Sequence, residues 1–188
     1  WLVKVMVEHD RSNWFYYFRD GWQHQLHAQT VYTVDEPSFY IAFNDLKYYE
    51  RVGQRGNFAS RLRMGLSSNQ ESPFAPFVLD SYLNIRGVGN RVDRGTGSVV
   101  LNLEYRHTFL ESKKIALQAV AFSDLGTWRN PGGSLNDFAE VENIQSFAGF
   151  GVRAIHKEIF NAILRLDYGV DLQDLSRSGF VVGIGQYF

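Results

Sequence analysis

Residues 98–109 read Ser98-Val99-Val100-Leu101-Asn102-Leu103-Glu104-Tyr105-Arg106-His107-Thr108-Phe109. Taken alternately, they separate into two unlike faces. Val99, Leu101, Leu103, Tyr105, His107 and Phe109 form one; Val100, Asn102, Glu104, Arg106 and Thr108 form the other. A period of two is the signature of a β-strand, because successive side chains point to opposite sides of the backbone. The stretch at 162–172 repeats it, with Ala162, Leu164, Leu166, Tyr168, Val170 and Leu172 against Arg165, Asp167, Gly169 and Asp171. So does 22–34, where Trp22, Leu26, Ala28, Tyr32 and Val34 oppose Gln23, Gln25, His27, Gln29 and Thr33.

Extending the test along the chain gives about nine strands, at 1–8, 22–34, 38–49, 57–67, 98–109, 114–126, 146–156, 160–172 and 179–188. No helical period competes with them, so the class is all-β and antiparallel. Alternation alone does not exclude either of two environments. In a soluble sandwich the apolar face is the core; in a transmembrane β-barrel it meets lipid and the polar face lines the lumen. Three features favour the barrel. The strands are long, about 10–13 residues, where roughly 9–11 cross a bilayer obliquely. Their polar faces carry charges of both signs together with glycines, as a lumen wall does. The final strand carries Phe180, Val182, Ile184 and Phe188 on alternate positions, with Gly183 and Gly185 opposite, and ends on an aromatic.

Composition is compatible. The 188 residues carry a net charge of −1, with 21% charged and 15% aromatic side chains. That balance offers no basic surface for nucleic acid. Without cysteine there is neither a disulfide framework nor a thiolate metal site. The mean hydropathy of −0.24 is modest, as it is for barrels whose strands show only alternate residues to lipid. No apolar run approaches the roughly 20 residues of a membrane-spanning helix. The chain opens on Trp1 without Met or leader, and the odd strand count leads us to expect a processed or partial chain, part of a larger barrel of around sixteen strands.

Connections alternate in length. Those at 51–55, 110–113 and 157–159 are short turns. Those at 69–97 and 128–145 are long and fall at the other end of the strands. A structureless connection as long as 69–97 is uncommon in a compact domain and is usually functional.

Within it lies Ile85-Arg86-Gly87-Val88, with Gly89-Asn90-Arg91 next in the chain. This closely resembles the Val-Arg-Gly-aromatic signature in the sixth extracellular loop of the BamA/TamA outer-membrane assembly-factor superfamily. Further points of likeness are Leu103-Glu104-Tyr105-Arg106, Phe122-Ser123-Asp124-Leu125-Gly126 with Trp128 after it, and Leu164-Arg165-Leu166-Asp167-Tyr168-Gly169. Upstream, His9-Asp10-Arg11-Ser12-Asn13 and Arg19-Asp20-Gly21 look like that family's turn before a long strand. The likeness covers nearly the whole chain and is most specific over 77–188. Val88 departs from the family's usual aromatic, which puts a stacking role there in doubt.

The resemblance implies a bacterial outer-membrane location and a loop folded back into the lumen, its arginine paired with acids of the inner wall. Alternation places Glu104 and Asp124 on the polar faces of consecutive strands, and a guanidinium fork can hold carboxylates bidentately. The expectation is that Arg86 pins the loop through Glu104 and Asp124. The competing arrangement is a solvated Arg86, with the acids taken by Arg106 or Arg153. The resemblance further implies an insertase that folds outer-membrane proteins through a weak seam beside the last strand, where Gly183 and Gly185 loosen packing. Lipid and lipopolysaccharide, unfolded client barrels, and periplasmic or lipoprotein accessory subunits are the implied partners. Relatives also include two-partner secretion pores, barrel anchors of patatin-like lipases, and barrels without periplasmic domains. A plain porin leaves the loop motif and the two acids unexplained.

Enzymatic chemistry finds no foothold. His9, His24, His27, His107 and His156 are dispersed, and His24 and His27 fall on opposite faces of one strand. Asp171 and Asp174 lack the glycine turn of a calcium loop. Gly87-Val88-Gly89 and Gly95-Thr96-Gly97 precede no helix, and Gly-x-Ser-x-Gly does not occur. The sequence calls for no metal and no cofactor.

Overall fold

In a computed structural model the chain is described at all positions except 16, 33, 35–37, 70–74, 160 and 161. Parts of the expected strands at 22–34 and 160–172, and of the 69–97 connection, therefore lie outside the described residues. The main strands are β1 (Leu2–Phe15), β2 (Phe18–Val31), β3 (Phe39–Val52), β4 (Gly56–Ser67), β7 (Gly97–Glu111), β8 (Ile115–Arg129), β9 (Ile144–His156), β10 (Ile163–Asp171) and β11 (Ser178–Ile184). These nine form one antiparallel sheet in the order β1-β2-β3-β4-β7-β8-β9-β10-β11. β5 (Phe77–Leu79) and β6 (Asp93–Gly95) pair with each other inside the β4–β7 connection, which is thus not structureless. Every strand of the large sheet pairs with its neighbours in chain order, and β1 and β11 are its two unpaired ends. The sheet is open.

Two boundaries depart from the sequence reading. β1 runs on through 9–13, which pairs with 20–24 rather than turning, and the hairpin reverses between Phe15 and Phe18. Cross-strand pairing outweighs the turn preference of the polar residues there. At the other end, β11 stops at Ile184, and Gly185 takes φ +87, so alternation does not continue to Phe188.

The sheet buries the opposite face from a soluble sandwich. On β7, Asn102, Glu104, Arg106 and Thr108 are buried, while Leu103, Tyr105 and Phe109 are exposed. On β10, Arg165, Asp167 and Asp171 are buried beside Leu164, which is 62% exposed, and Leu166. β9 and β11 expose Phe150 at 74%, Val182 at 71% and Ile184 at 77%. The concave, charged face is covered at both ends by the chain itself. At the long-loop end Leu79, Ile85 and Val88 cluster with Val100, Trp128 and Phe147. At the short-turn end Tyr17 and Phe18 cross to Ala116, Ile155 and Ile163.

Candidate functional site

The site is assembled where the 69–97 connection touches β7–β10. Residues 80–85 form a compact turn. The Asp80 carbonyl accepts from the Ile85 amide at 2.8 Å, and the Asp80 carboxylate accepts from the Leu83 amide at 2.9 Å. From β4, the strand paired with β7, Arg61 donates to the Leu83 carbonyl at 3.0 Å and Arg63 to the Asn84 side chain at 3.2 Å. Both arginines also share Asp45, at 2.7 and 3.0 Å. The turn is thereby gripped from β4 before Arg86 is reached.

Arg86 is completely buried. Asp124 holds it three times at 2.9 Å, through the backbone amide and Nε on Oδ2 and through Nη2 on Oδ1. Nη1 donates to Glu104. The guanidinium carbon lies 3.8 Å from the Phe122 ring centroid and 4.3 Å from that of Tyr187. Ion pairs, bidentate geometry and stacked rings are what a guanidinium needs once water is removed. A solvated Arg86 is not what the structure contains.

Only the acid pairing of the competing arrangement is present, and only at Glu104. Glu104 also receives Arg106 and, at 3.4 Å, Arg153. Arg153 in turn pairs with Asp167 at 2.6 Å. Three carboxylates and three arginines therefore form one continuous buried network, with Arg86 the member supplied by the loop. Register explains the convergence: Asn102 stands opposite Asp124, Glu104 opposite Phe122, and Phe122 opposite Gly149.

Backbone lies directly on backbone where the loop continues. Gly149, Gly169 and Gly179 are successive cross-strand partners on β9, β10 and β11. Gly87, at φ +96, rests on this strip, and a Cβ added to it would come within 2.7 Å of the Gly169 carbonyl oxygen. Gly89 also has positive φ, at 71°. Ile85 fits over Gly126, where a side chain would collide with it. Gly183 lies over the Arg165 guanidinium. Gly179 takes the loop.

Of the residues singled out from sequence, the structure joins Ile85, Arg86, Gly87, Val88, Glu104 and Asp124 in one site. Phe180, Val182 and Ile184 stand on the exposed outer face of β11, whereas Gly185 and Phe188 lie beyond the strand. The Phe188 carbonyl accepts from Arg106 at 3.2 Å. Val88 joins the apolar cluster and takes no part in stacking; Phe122 and Tyr187 supply the rings. Tyr187 was not among the expected site residues, because unbroken alternation through β11 disguised it. Asp45 and Asn102 carried no motif either.

Asp171 pairs with Arg177 at 2.9 Å. Asp174 accepts from the Ser176 hydroxyl at 2.7 Å, which with the Ser176 amide holds its carboxyl below the usual range. Both acids serve the β10–β11 connection. Among the described residues no group of three or more His, Asp or Glu side chains is placed to hold a metal. No family model matches the chain, and a search of curated proteins found no significant match.

Proposed function

We propose that the sheet is one side of a bacterial outer-membrane β-barrel of the BamA/TamA kind, and that the protein inserts other outer-membrane proteins into the bilayer. In this reading the outer face of β7–β11 meets lipid and lipopolysaccharide. The 69–97 connection is the lumen loop, seated by Arg86. β11 borders a seam at which an unfolded client strand pairs, with periplasmic or lipoprotein subunits assisting.

One observation carries the proposal: the sheet's polarity is inverted. A face of Leu103, Phe109, Phe150, Leu164, Phe180, Val182 and Ile184 is bare, while charges are buried. In water each large apolar side chain left exposed forgoes about 1.5–3 kcal/mol, and a continuous apolar face of this extent marks contact with a membrane or a partner. Lipid removes that cost. An open sheet end such as β11 has unpaired backbone groups, a template for another strand, and in hydrocarbon such groups must be satisfied. Pairing a client strand satisfies them.

The test is reconstitution of the full-length protein in liposomes, timing the folding of a urea-denatured model barrel. Acceleration that is lost in Arg86→Ala is the expected result. No acceleration, accompanied by ion conductance or export of one polypeptide, would replace the insertase with a secretion pore.

A further inference from the structure

The segment after β11 does not leave the sheet. Gly185 still donates its amide to the Ile163 carbonyl at 2.7 Å, but its positive φ turns residues 186–188 toward the concave face. Gln186 accepts from Arg153 at 3.3 Å. Tyr187 is buried, and its hydroxyl donates to the Ser81 carbonyl of the loop at 3.4 Å.

The Tyr187 ring has a guanidinium on two accounts. Arg86 of the loop lies 4.3 Å from its centroid, and Arg165 of β10 lies 4.8 Å from it. Arg165 also approaches Tyr82 of the loop, at 5.9 Å. Ring and guanidinium thus alternate through Phe122, Arg86, Tyr187, Arg165 and Tyr82. The members come from sheet, loop, 185–188 segment, sheet and loop in turn. Arg165 makes the series consequential. It is 5% exposed, its Nε has no hydrogen-bond partner, and the Arg153 opposite it is engaged by Asp167 and Glu104. The Tyr187 and Tyr82 ring faces offset part of its lost water.

We propose that residues 185–188 are a latch on the 69–97 loop, with Tyr187 the positioning residue for Arg86. Seating of the segment and seating of the loop stabilise each other. Because the segment continues directly from β11, the unpaired sheet end, a disturbance of that end loosens the loop. The inference stands apart from the membrane role, since it concerns only how two parts of this chain hold each other.

Coupling of this kind is reciprocal, and between sites in one protein typically amounts to roughly 5–150-fold. These 188 residues contain no cysteine, so with any cysteine elsewhere in the full-length protein replaced by serine, single reporters are clean. Val88→Cys reports the loop and Gln186→Cys the segment, each by maleimide labelling rate of the full-length protein in detergent micelles, with no client present. Tyr187→Leu, which keeps apolar bulk without the ring, is expected to speed labelling at 88 by a factor in that range. Tyr187→Phe stays within about twofold of the parent, and Leu175→Ala in the exposed β10–β11 connection changes nothing. Arg86→Ala is expected to speed labelling at 186 by a similar factor to that seen at 88. Unchanged labelling at 88 in Tyr187→Leu overturns the latch. So does unchanged labelling at 186 in Arg86→Ala, a reading that holds even if the tyrosine variant does not fold.

Discussion

Asn102 and Asp124 stand directly opposite each other on β7 and β8, and a single side-chain amide ties the sheet to the loop. Asn102 Nδ2 donates to Asp124 Oδ1 at 2.8 Å and to the Asn84 carbonyl at 2.7 Å. Both side chains are fully buried. Asn102→Leu keeps the volume but removes both bonds, leaving a buried carbonyl and a carboxylate oxygen under-satisfied. The expected loss is about 1–3 kcal/mol, read as a lower urea midpoint. Asn102→Asp sets a second carboxylate against Asp124 and is expected to lower the midpoint further. Equal midpoints for the parent and Asn102→Leu would show that the bridge adds nothing.

Glu104 and Asp124 hold Arg86 together but have different second duties. Glu104 also pairs with Arg106 and Arg153, whereas the Asp124 ion pair is with Arg86. Breaking a buried pair from one side costs about 3–5 kcal/mol, because the remaining charge is uncompensated. Glu104→Gln is therefore expected to give the larger fall in global stability. Asp124→Asn is expected to give the larger rise in protease cleavage within 69–97, since it weakens three contacts to Arg86 at once. Identical profiles for the two variants would contradict this division.

The strand ladder was legible because pairs such as Leu103 and Glu104 alternate whichever face is buried. The direction of burial was less so. Val100, Val120, Phe122 and Phe147 are apolar members of the charged face: Val100 and Phe147 cluster with Leu79, Ile85 and Val88 of the loop, and Phe122 stacks on Arg86. The Arg86, Glu104 and Asp124 triangle was accessible because motif and strand phase pointed to the same residues. Tyr187 was not, because phase from Phe180 onward assigns it a strand position that one positive-φ glycine abolishes. Tyr17 and Phe18 were hidden for a different reason. Their partners Ala116, Ile155 and Ile163 lie about a hundred or more positions away, across the curve of the sheet.

The strip formed by Gly149, Gly169 and Gly179 is predicted to be specific to the loop. A Cβ at Gly169 would lie 2.5 Å from the Arg86 carbonyl oxygen, and one at Gly179 would lie 2.8 Å from that of Gly87. Both glycines sit in strands, so alanine is tolerated by the ladder itself. Gly169→Ala and Gly179→Ala are expected to raise maleimide labelling of a Val88→Cys reporter. Hydrogen-exchange protection of β8, remote from the added methyls, is expected to remain. Loss of protection throughout the sheet would mean that the glycines serve strand pairing and not the loop.

The outer face gives the sharpest separation of lipid from water. Leu164 and Val152 are exposed on adjacent strands, with Phe150, Leu166 and Val182 around them. In a bilayer, arginine at mid-depth of a barrel costs about 2–4 kcal/mol, falling toward zero near the interfaces. A surface substitution in water stays within about 0.5 kcal/mol. An arginine scan at 150, 152, 164, 166 and 182, read as unfolding free energy in liposomes, is expected to peak toward the middle of the strands. A scan at Leu175 and Val141, exposed in connections at the long-loop end, is expected to be flat. Depth dependence places the face against hydrocarbon, because a protein partner covering it would give losses that track individual contacts rather than height along the strand. A uniformly flat scan would leave the inverted polarity without lipid as its cause.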